Sequence, residues 1–167
     1  PVPCTCSAPA RQVDELQKVL QFVSVSTDGE VVLWTLAKAE LQRELLMRLN
    51  ALPGMALAPP ESPAVDADEA RSVLGGLCMD FSKAVNEDHI YLVGTEEGMI
   101  HRCSKAYSSE YLSSYSHTAA PTAGAPAPAA PTPAAVYSVK WNQLHPRMFL
   151  SAGADWCVRL WDAAQPD

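Results

Sequence analysis

The stretch Phe149 to Ala163, FLSAGADWCVRLWDA, decides the fold, because two other segments of the chain can be laid against it without a gap. Phe22 to Leu36 reads FVSVSTDGEVVLWTL and Tyr91 to Lys105 reads YLVGTEEGMIHRCSK. In each, an alternating apolar run enters a tight turn and leaves as a second alternating run, the pattern of an antiparallel hairpin. Asp28-Gly29 supplies the positive φ angles that a two-residue hairpin turn demands, and Glu97-Gly98 and Asp155-Trp156 hold the same place with poorer turn chemistry. Three aligned copies mark a repeat architecture.

Each hairpin has further strands beside it. Leu77 to Ser82 and Val136 to Asn142 alternate with period two ahead of the second and third hairpins, and Glu110 to His117 is a candidate outer strand after the second. Together with the Trp161-Asp162 ending, this reads as an all-β chain, a partial WD-repeat β-propeller. About two and a half to three blades of four-stranded antiparallel sheet are expected, joined by long flexible inter-blade loops. The hairpins start at 22, 91 and 149, steps of 69 and 58 residues, against roughly 40 to 45 for such a repeat. The excess is visible as insertions too poor in large apolar groups to offset their ordering entropy. The organisation expected is a partial blade or short helix over 1–21, a blade over 22–50 and a Pro/Ala/acidic loop over 51–72. A second blade over 73–117, an Ala/Pro-rich linker over 118–135 and a third blade over 136–167 lacking its last strand complete it. The chain opens on Pro1 and stops soon after the third hairpin, so a piece of a longer propeller is expected.

Two segments carry conflicting signals. Leu41, Leu45 and Leu49 recur at helical spacing among good helix formers, whereas repeat register makes Glu40 to Leu49 an outer strand. The register reading is preferred, because tertiary context overrides propensity in short segments. Val13, Leu16, Val19 and Leu20 could likewise line a short helix.

Composition removes several function classes. With 12 basic and 19 acidic residues the net charge is -7, which opposes binding to nucleic acid or an acidic membrane surface. No apolar run is long enough to span a bilayer. Five cysteines at irregular spacing suit reduced thiols better than a disulfide framework. Cys4-Thr-Cys6 has no second pair to complete a zinc site, and no metal or other cofactor is expected. Asp66, Asp68 and Glu69 lack a calcium-loop pattern and read as a solvated loop.

In WD repeats a blade is often held by a hydrogen-bonded His, Ser or Thr, Asp and Trp, since buried polar groups must be paired. Ser151, Asp155 and Trp161 fit in the third repeat, with His117 supplying the imidazole from across the insertion. Ser24, Asp28 and Trp34 fit in the first, without a His. The second has Glu97 for Asp and Cys103 for Trp, so packing must hold it instead. A Ser, His and Asp together invite a hydrolase reading, but no Gly-x-Ser-x-Gly elbow is present and no catalytic residue is expected. Cys103 and Cys157 read as small buried hydrophobes on strands, and His89, His101 and His145 as scattered loop or surface residues.

Val93 to Leu112 (VGTEEGMIHRCSKAYSSEYL) and Val139 to Asp162 (VKWNQLHPRMFLSAGADWCVRLWD) closely resemble the WD-repeat region of axonemal dynein intermediate chains, in particular the outer-arm intermediate chain 1 type. Phe22 to Leu36 is similar to the preceding blade of that family, and Ile100-His-Arg-Cys-Ser-Lys105 is the most specific part. The resemblance implies a non-catalytic scaffold in the cilium or flagellum axoneme, in the cytoplasm during assembly. It would pack on a dynein heavy chain, pair with a second intermediate chain, and carry light chains through regions outside this chain, with any microtubule association indirect. A competing reading keeps the architecture and changes the assembly, to a cytoplasmic dynein intermediate chain or a ubiquitin-ligase receptor.

Overall fold

The alternation of apolar side chains becomes eleven strands and no helix among the described residues of the computed structural model, which are 6–9, 20–37, 40–51, 73–84, 86–117 and 134–165. The first sheet runs β1 (Cys6–Pro9), β2 (Leu20–Val25), β3 (Glu30–Ala37) and β4 (Glu40–Arg48) in chain order. The second is β5 (Gly76–Phe81), β6 (Ile90–Thr95), β7 (Met99–Ser104) and β8 (Ser113–Ser116), and the third is β9 (Val136–Trp141), β10 (Met148–Gly153) and β11 (Val158–Asp162). Every neighbouring pair is antiparallel. The first sheet thus reaches back to Cys6, ahead of position 22 where the repeat alignment starts.

The sheets are stacked face to face, and the period-two rule explains how. Val23, Val25, Val31 and Leu33 share one face of the first sheet and pack on Met79, Phe81, Tyr91, Val93 and Cys103 of the second. Cys78, Leu92, Ile100 and Tyr115 occupy the opposite face of the second sheet and pack on Val139, Trp141 and Phe149 of the third. Each hairpin therefore carries two apolar faces, one for each neighbour.

Glu40–Arg48 is a strand, paired along β3 from Glu30↔Arg48 to Ala37↔Glu40 with an irregularity at Val31/Val32. Its helical leucine spacing yields to the backbone groups of β3, which would otherwise lack partners on that side. The outer strand after the second hairpin is shorter than the sequence reading, since residues 110–112 are irregular. The candidate helix before the first hairpin lies outside the described residues at 11–19. So do nearly all of the two insertions, at 52–72 and 118–133.

The turns correct one expectation. Each hairpin closes over four residues, with Gly29 N donating to Ser26 O (3.1 Å), Gly98 N to Thr95 O (3.3 Å) and Trp156 N to Gly153 O (3.2 Å). Only the last residue of each turn has positive φ, at 77°, 79° and 62°, so Asp28 does not adopt the left-handed conformation a two-residue turn requires of it. Gly29 and Gly98 are also closely packed. A Cβ would meet the Leu74 carbonyl oxygen at 2.9 Å from Gly29, and that of Ala134 at 2.9 Å from Gly98. Trp156, by contrast, is 99% exposed.

A left-handed non-glycine residue costs roughly 1–2 kcal/mol, partly offset by the greater unfolded-state freedom of glycine. Trp156→Gly is therefore expected to stabilise the chain by about 1 kcal/mol, read as a higher urea midpoint at unchanged slope.

Candidate functional site

The chemistry-bearing side chains gather where one sheet meets the next. His117 follows β8 directly, its backbone N–H held by Gly98 O at 2.7 Å, and its fully buried ring reaches into the third sheet. There Nδ1 lies 2.9 Å from Ser151 Oγ and Nε2 lies 3.1 Å from Asp155 Oδ1. Trp161 Nε1 donates to the same Ser151 Oγ at 2.8 Å. One proton arrangement links the four groups in a chain: indole N–H to Ser151, Ser151 hydroxyl to His117 Nδ1, and His117 Nε2–H to Asp155 Oδ1.

Asp155 is fixed from three sides. Burial by itself would raise its carboxyl pKa, but the Cys157 amide at 3.1 Å, the His117 ring and the Arg159 guanidinium at 2.7 Å outweigh this and hold it at about 2. Ser151 is 1% exposed and its hydroxyl is committed to two partners. A nucleophile needs an open approach and a base free to accept its proton; this geometry instead ties two sheets together.

The first sheet repeats part of the arrangement. Trp34 Nε1 donates to Ser24 Oγ at 2.8 Å. Asp28 does not join them: its Oδ1 accepts from the Ser26 hydroxyl and from the Glu30 amide at 3.0 Å. The aspartate therefore stabilises its own turn through an Asx-type contact, with no imidazole from the described residues beside it.

The junction of the first and second sheets replaces the polar set altogether. Leu49 stands in the place of His117, since its N–H is held by Gly29 O at 2.8 Å as that of His117 is by Gly98 O. Val93 aligns with Ser151 and Cys103 with Trp161, and all three side chains are buried in one cluster. Burial pushes the Cys103 thiol up to about 12, so it is an unreactive apolar filler. Glu97, at the aspartate position, is half-buried and its carboxyl pKa is raised by burial.

Two sequence readings are corrected here. His101 is neither a loop nor a surface residue. It lies on β7, fully buried, stacked on Tyr111 with centroids 3.9 Å apart, its Nδ1 2.8 Å from Ser114 Oγ. The Tyr111 hydroxyl in turn accepts from Asn50 N at 2.7 Å and donates to Asn50 O at 2.9 Å, clasping the end of the first sheet. Cys157 is exposed in the turn before β11 rather than buried on a strand. His89 and His145 are exposed in loops.

Other ties between sheets give no local sequence signal. Asp80 Oδ2 accepts from the Trp141 amide at 2.8 Å, and the Tyr115 hydroxyl donates to Ala163 O at 2.9 Å. Each partner is a backbone group whose availability depends on how the sheets stack. Among the described residues no three or more His, Cys, Asp or Glu gather as a metal site, and no helix is long and apolar enough to cross a membrane. Cys4 and the 66–69 acidic cluster lie outside the described residues.

No family model matches the chain. Over 142 residues it is 51% identical to the 78 kDa intermediate chain of the flagellar outer-arm dynein of Chlamydomonas reinhardtii, covering 84% of this chain and 18% of that protein. It is 40% identical over 153 residues to the ciliary dynein intermediate chain 2 of Heliocidaris crassispina, and 38% identical over 153 residues to the dynein axonemal intermediate chain 1 of Rattus norvegicus. Each of these matches covers 92% of this chain and 19% of the relative. Among solved structures, the β-propeller domain of Myceliophteria thermophila Cps50 (Swd1) superposes with a TM-score of 0.53 at 13% identity, over 85% of this chain and 35% of that one. That likeness shows the fold: three propeller-type sheets.

Truncating His117 would remove one hydrogen bond each from the buried Ser151 hydroxyl and Asp155 carboxylate and leave a cavity between the sheets, so His117→Ala is expected to cost about 3 kcal/mol. His117→Leu with Ser151→Val and Trp161→Cys, which copies the Leu49, Val93 and Cys103 filling, is expected to recover part of that loss in the same denaturation assay. The pH dependence has a definite sign. Burial lowers His101 from 6.5 to about 4, and Asp155 is lowered from 3.8 to about 2. Both folded values are depressed, so each contribution is complete above the unfolded pKa and is lost as pH falls, from about 6.5 to 4 for His101 and from about 4 to 2 for Asp155. Stability measured against pH is expected to decline below pH 6.5 on the order of 3 kcal/mol by pH 4, and His101→Gln is expected to flatten that branch.

Proposed function

From the chain's homology to the axonemal dynein intermediate chains, of whose length it spans 18–19% in the relatives compared, we propose that it forms propeller blades of a non-catalytic scaffold subunit of a ciliary or flagellar outer-arm dynein. The observation that carries this reading is the 51% identity to a flagellar outer-arm intermediate chain across 84% of the chain. The subunit packs on the dynein heavy chain, pairs with a second intermediate chain, and supports arm assembly and docking in the axoneme. Light chains are carried by regions outside this chain. Microtubule association is indirect, in keeping with a net charge of -7, which opposes contact with an acidic filament surface.

Within the chain, His117, Ser151, Asp155 and Trp161 serve as a structural lock between the second and third blades, and Ser24 with Trp34 as its counterpart in the first. Their burial and mutual saturation support a structural role over a reactive one.

An epitope tag on the protein in its own ciliated or flagellated cells tests the reading. Salt extracts of isolated axonemes are expected to yield dynein heavy chain with the tag, co-sedimenting as one particle. A tagged protein that sediments free of heavy chain would remove the proposal.

A further inference from the structure

Every strand of the second and third sheets runs between two unlike rims. The four-residue turns lie on one rim, and both insertions leave and re-enter there, between Asn50 and Val73, which bridge each other, and between His117 and Ala134. The other rim carries only short loops: residues 82–89 between β5 and β6, 105–112 between β7 and β8, and 142–147 between β9 and β10. On this rim two large apolar side chains stand in water, Leu144 at 95% exposure and Tyr107 at 59%.

A further blade would cover neither. Tyr107 belongs to the second sheet, which is packed on both faces. Leu144 lies in a loop whose counterpart in that same sheet can be identified by its hydrogen bonds. Ser82 N donates to Ile90 O as Asn142 N does to Met148 O, both at 2.9 Å, and the Ser82 hydroxyl accepts from the Ala84 amide as Asn142 Oδ1 does from that of Leu144. With a neighbour on each side, the 82–89 loop is still exposed at Lys83, Asn86, Asp88 and His89. Stacking therefore leaves this rim open.

Both side chains are also carried on fixed backbone. Asn142 Oδ1 accepts from the Leu144 amide at 2.8 Å and the His145 amide at 3.1 Å, Met148 N donates to His145 O at 3.0 Å, and Trp141 Nε1 donates to Pro146 O at 2.6 Å. Tyr107 N donates to Ser104 O at 3.2 Å, and Ser104 Oγ accepts from the Ala106 amide at 3.1 Å. Binding through such tips costs little ordering entropy. Nearby charges are largely matched within the chain: Lys83 with Asp80, Arg147 with Asp162, and Lys105 over the Phe81 ring. What this rim has left to offer a partner is apolar.

We infer that Tyr107 and Leu144 form an interaction surface that seats in an apolar groove of another subunit of the same particle. The inference rests on the membership of a dynein particle proposed above. Removal of the two side chains from water drives the contact, and their tethered loops set its orientation.

Quantitative mass spectrometry of the tagged protein, purified from extracts of its own ciliated or flagellated cells, tests this by the amount of each co-purifying subunit relative to the tag. Tyr107→Asp with Leu144→Asp is expected to lower at least one subunit on the order of tenfold against wild type. Tyr107→Phe with Leu144→Met keeps both tips apolar and is expected to purify with the wild-type complement. Limited proteolysis checks that the Asp pair folds, and Tyr107→Ser with Leu144→Ser replaces it if it does not. A folded Asp or Ser pair with every subunit at its wild-type level would overturn the inference, as would the same loss in the Phe and Met pair. A wild-type protein that purifies without dynein heavy chain would instead remove the proposed function, and this inference with it.

Discussion

Every sheet in this chain is apolar on both faces, and that constraint organises the rest. A sheet with one apolar face can be covered once and left with its other side in water. Here the hairpin strands place valine, leucine and isoleucine on one side and aromatic or further aliphatic groups on the other, so each sheet must be sandwiched. Stacking is then the arrangement that removes both faces from water, and the repeats become blades. The polar contacts between sheets follow, because only stacking brings Asp80 to the Trp141 amide or the Tyr115 hydroxyl to Ala163.

The two internal junctions solve one packing problem with different chemistry. Between the second and third sheets, four polar side chains meet and saturate each other. Between the first and second, Leu49, Val93 and Cys103 fill the corresponding space. A mixture would be worse than either, since a single retained serine or histidine would be buried without its partner. The changes occur together for that reason. Glu97 is the polar survivor at that junction, and hydrogen bonds from its own backbone, from Gly75 and from Thr95 oppose the burial that raises its pKa.

Most of the fold was legible because strand periodicity and repeat register are sequence properties. The hairpins follow from alternation, and Glu40–Arg48 becomes readable as a strand once register is weighed against leucine spacing. The grouping of His117 with Ser151, Asp155 and Trp161 could be read from fixed offsets within a repeat, even across an insertion. Other features depend on what no local pattern records. Asp28 has the same offset as Asp155, but no imidazole from the described residues reaches it and Ser26 is two residues away, so its carboxylate turns to its own loop. His101 has no motif around it; its burial comes from Tyr111, which folds back to clasp Asn50 from a segment expected to be plain strand. Cys157 aligns with a strand start in the first repeat, yet β11 begins one residue later and Cys157 is exposed.

The location of the polar chemistry bears on what a stack of such sheets can use for recognition. His117, Ser151, Asp155 and Trp161 bond one another, and Ser24 and Trp34 do the same within their sheet, so these groups have little hydrogen-bonding capacity left to offer a partner. Recognition has to come from what faces water: the charged outer strand with Arg43 and Arg48 around Glu30, and the turn tips. Exposed ion pairs contribute little to stability by themselves, which leaves such a strand free to vary without disturbing the stack. A blade array built on these terms keeps an inert interior and presents partner-specific chemistry only at its rim.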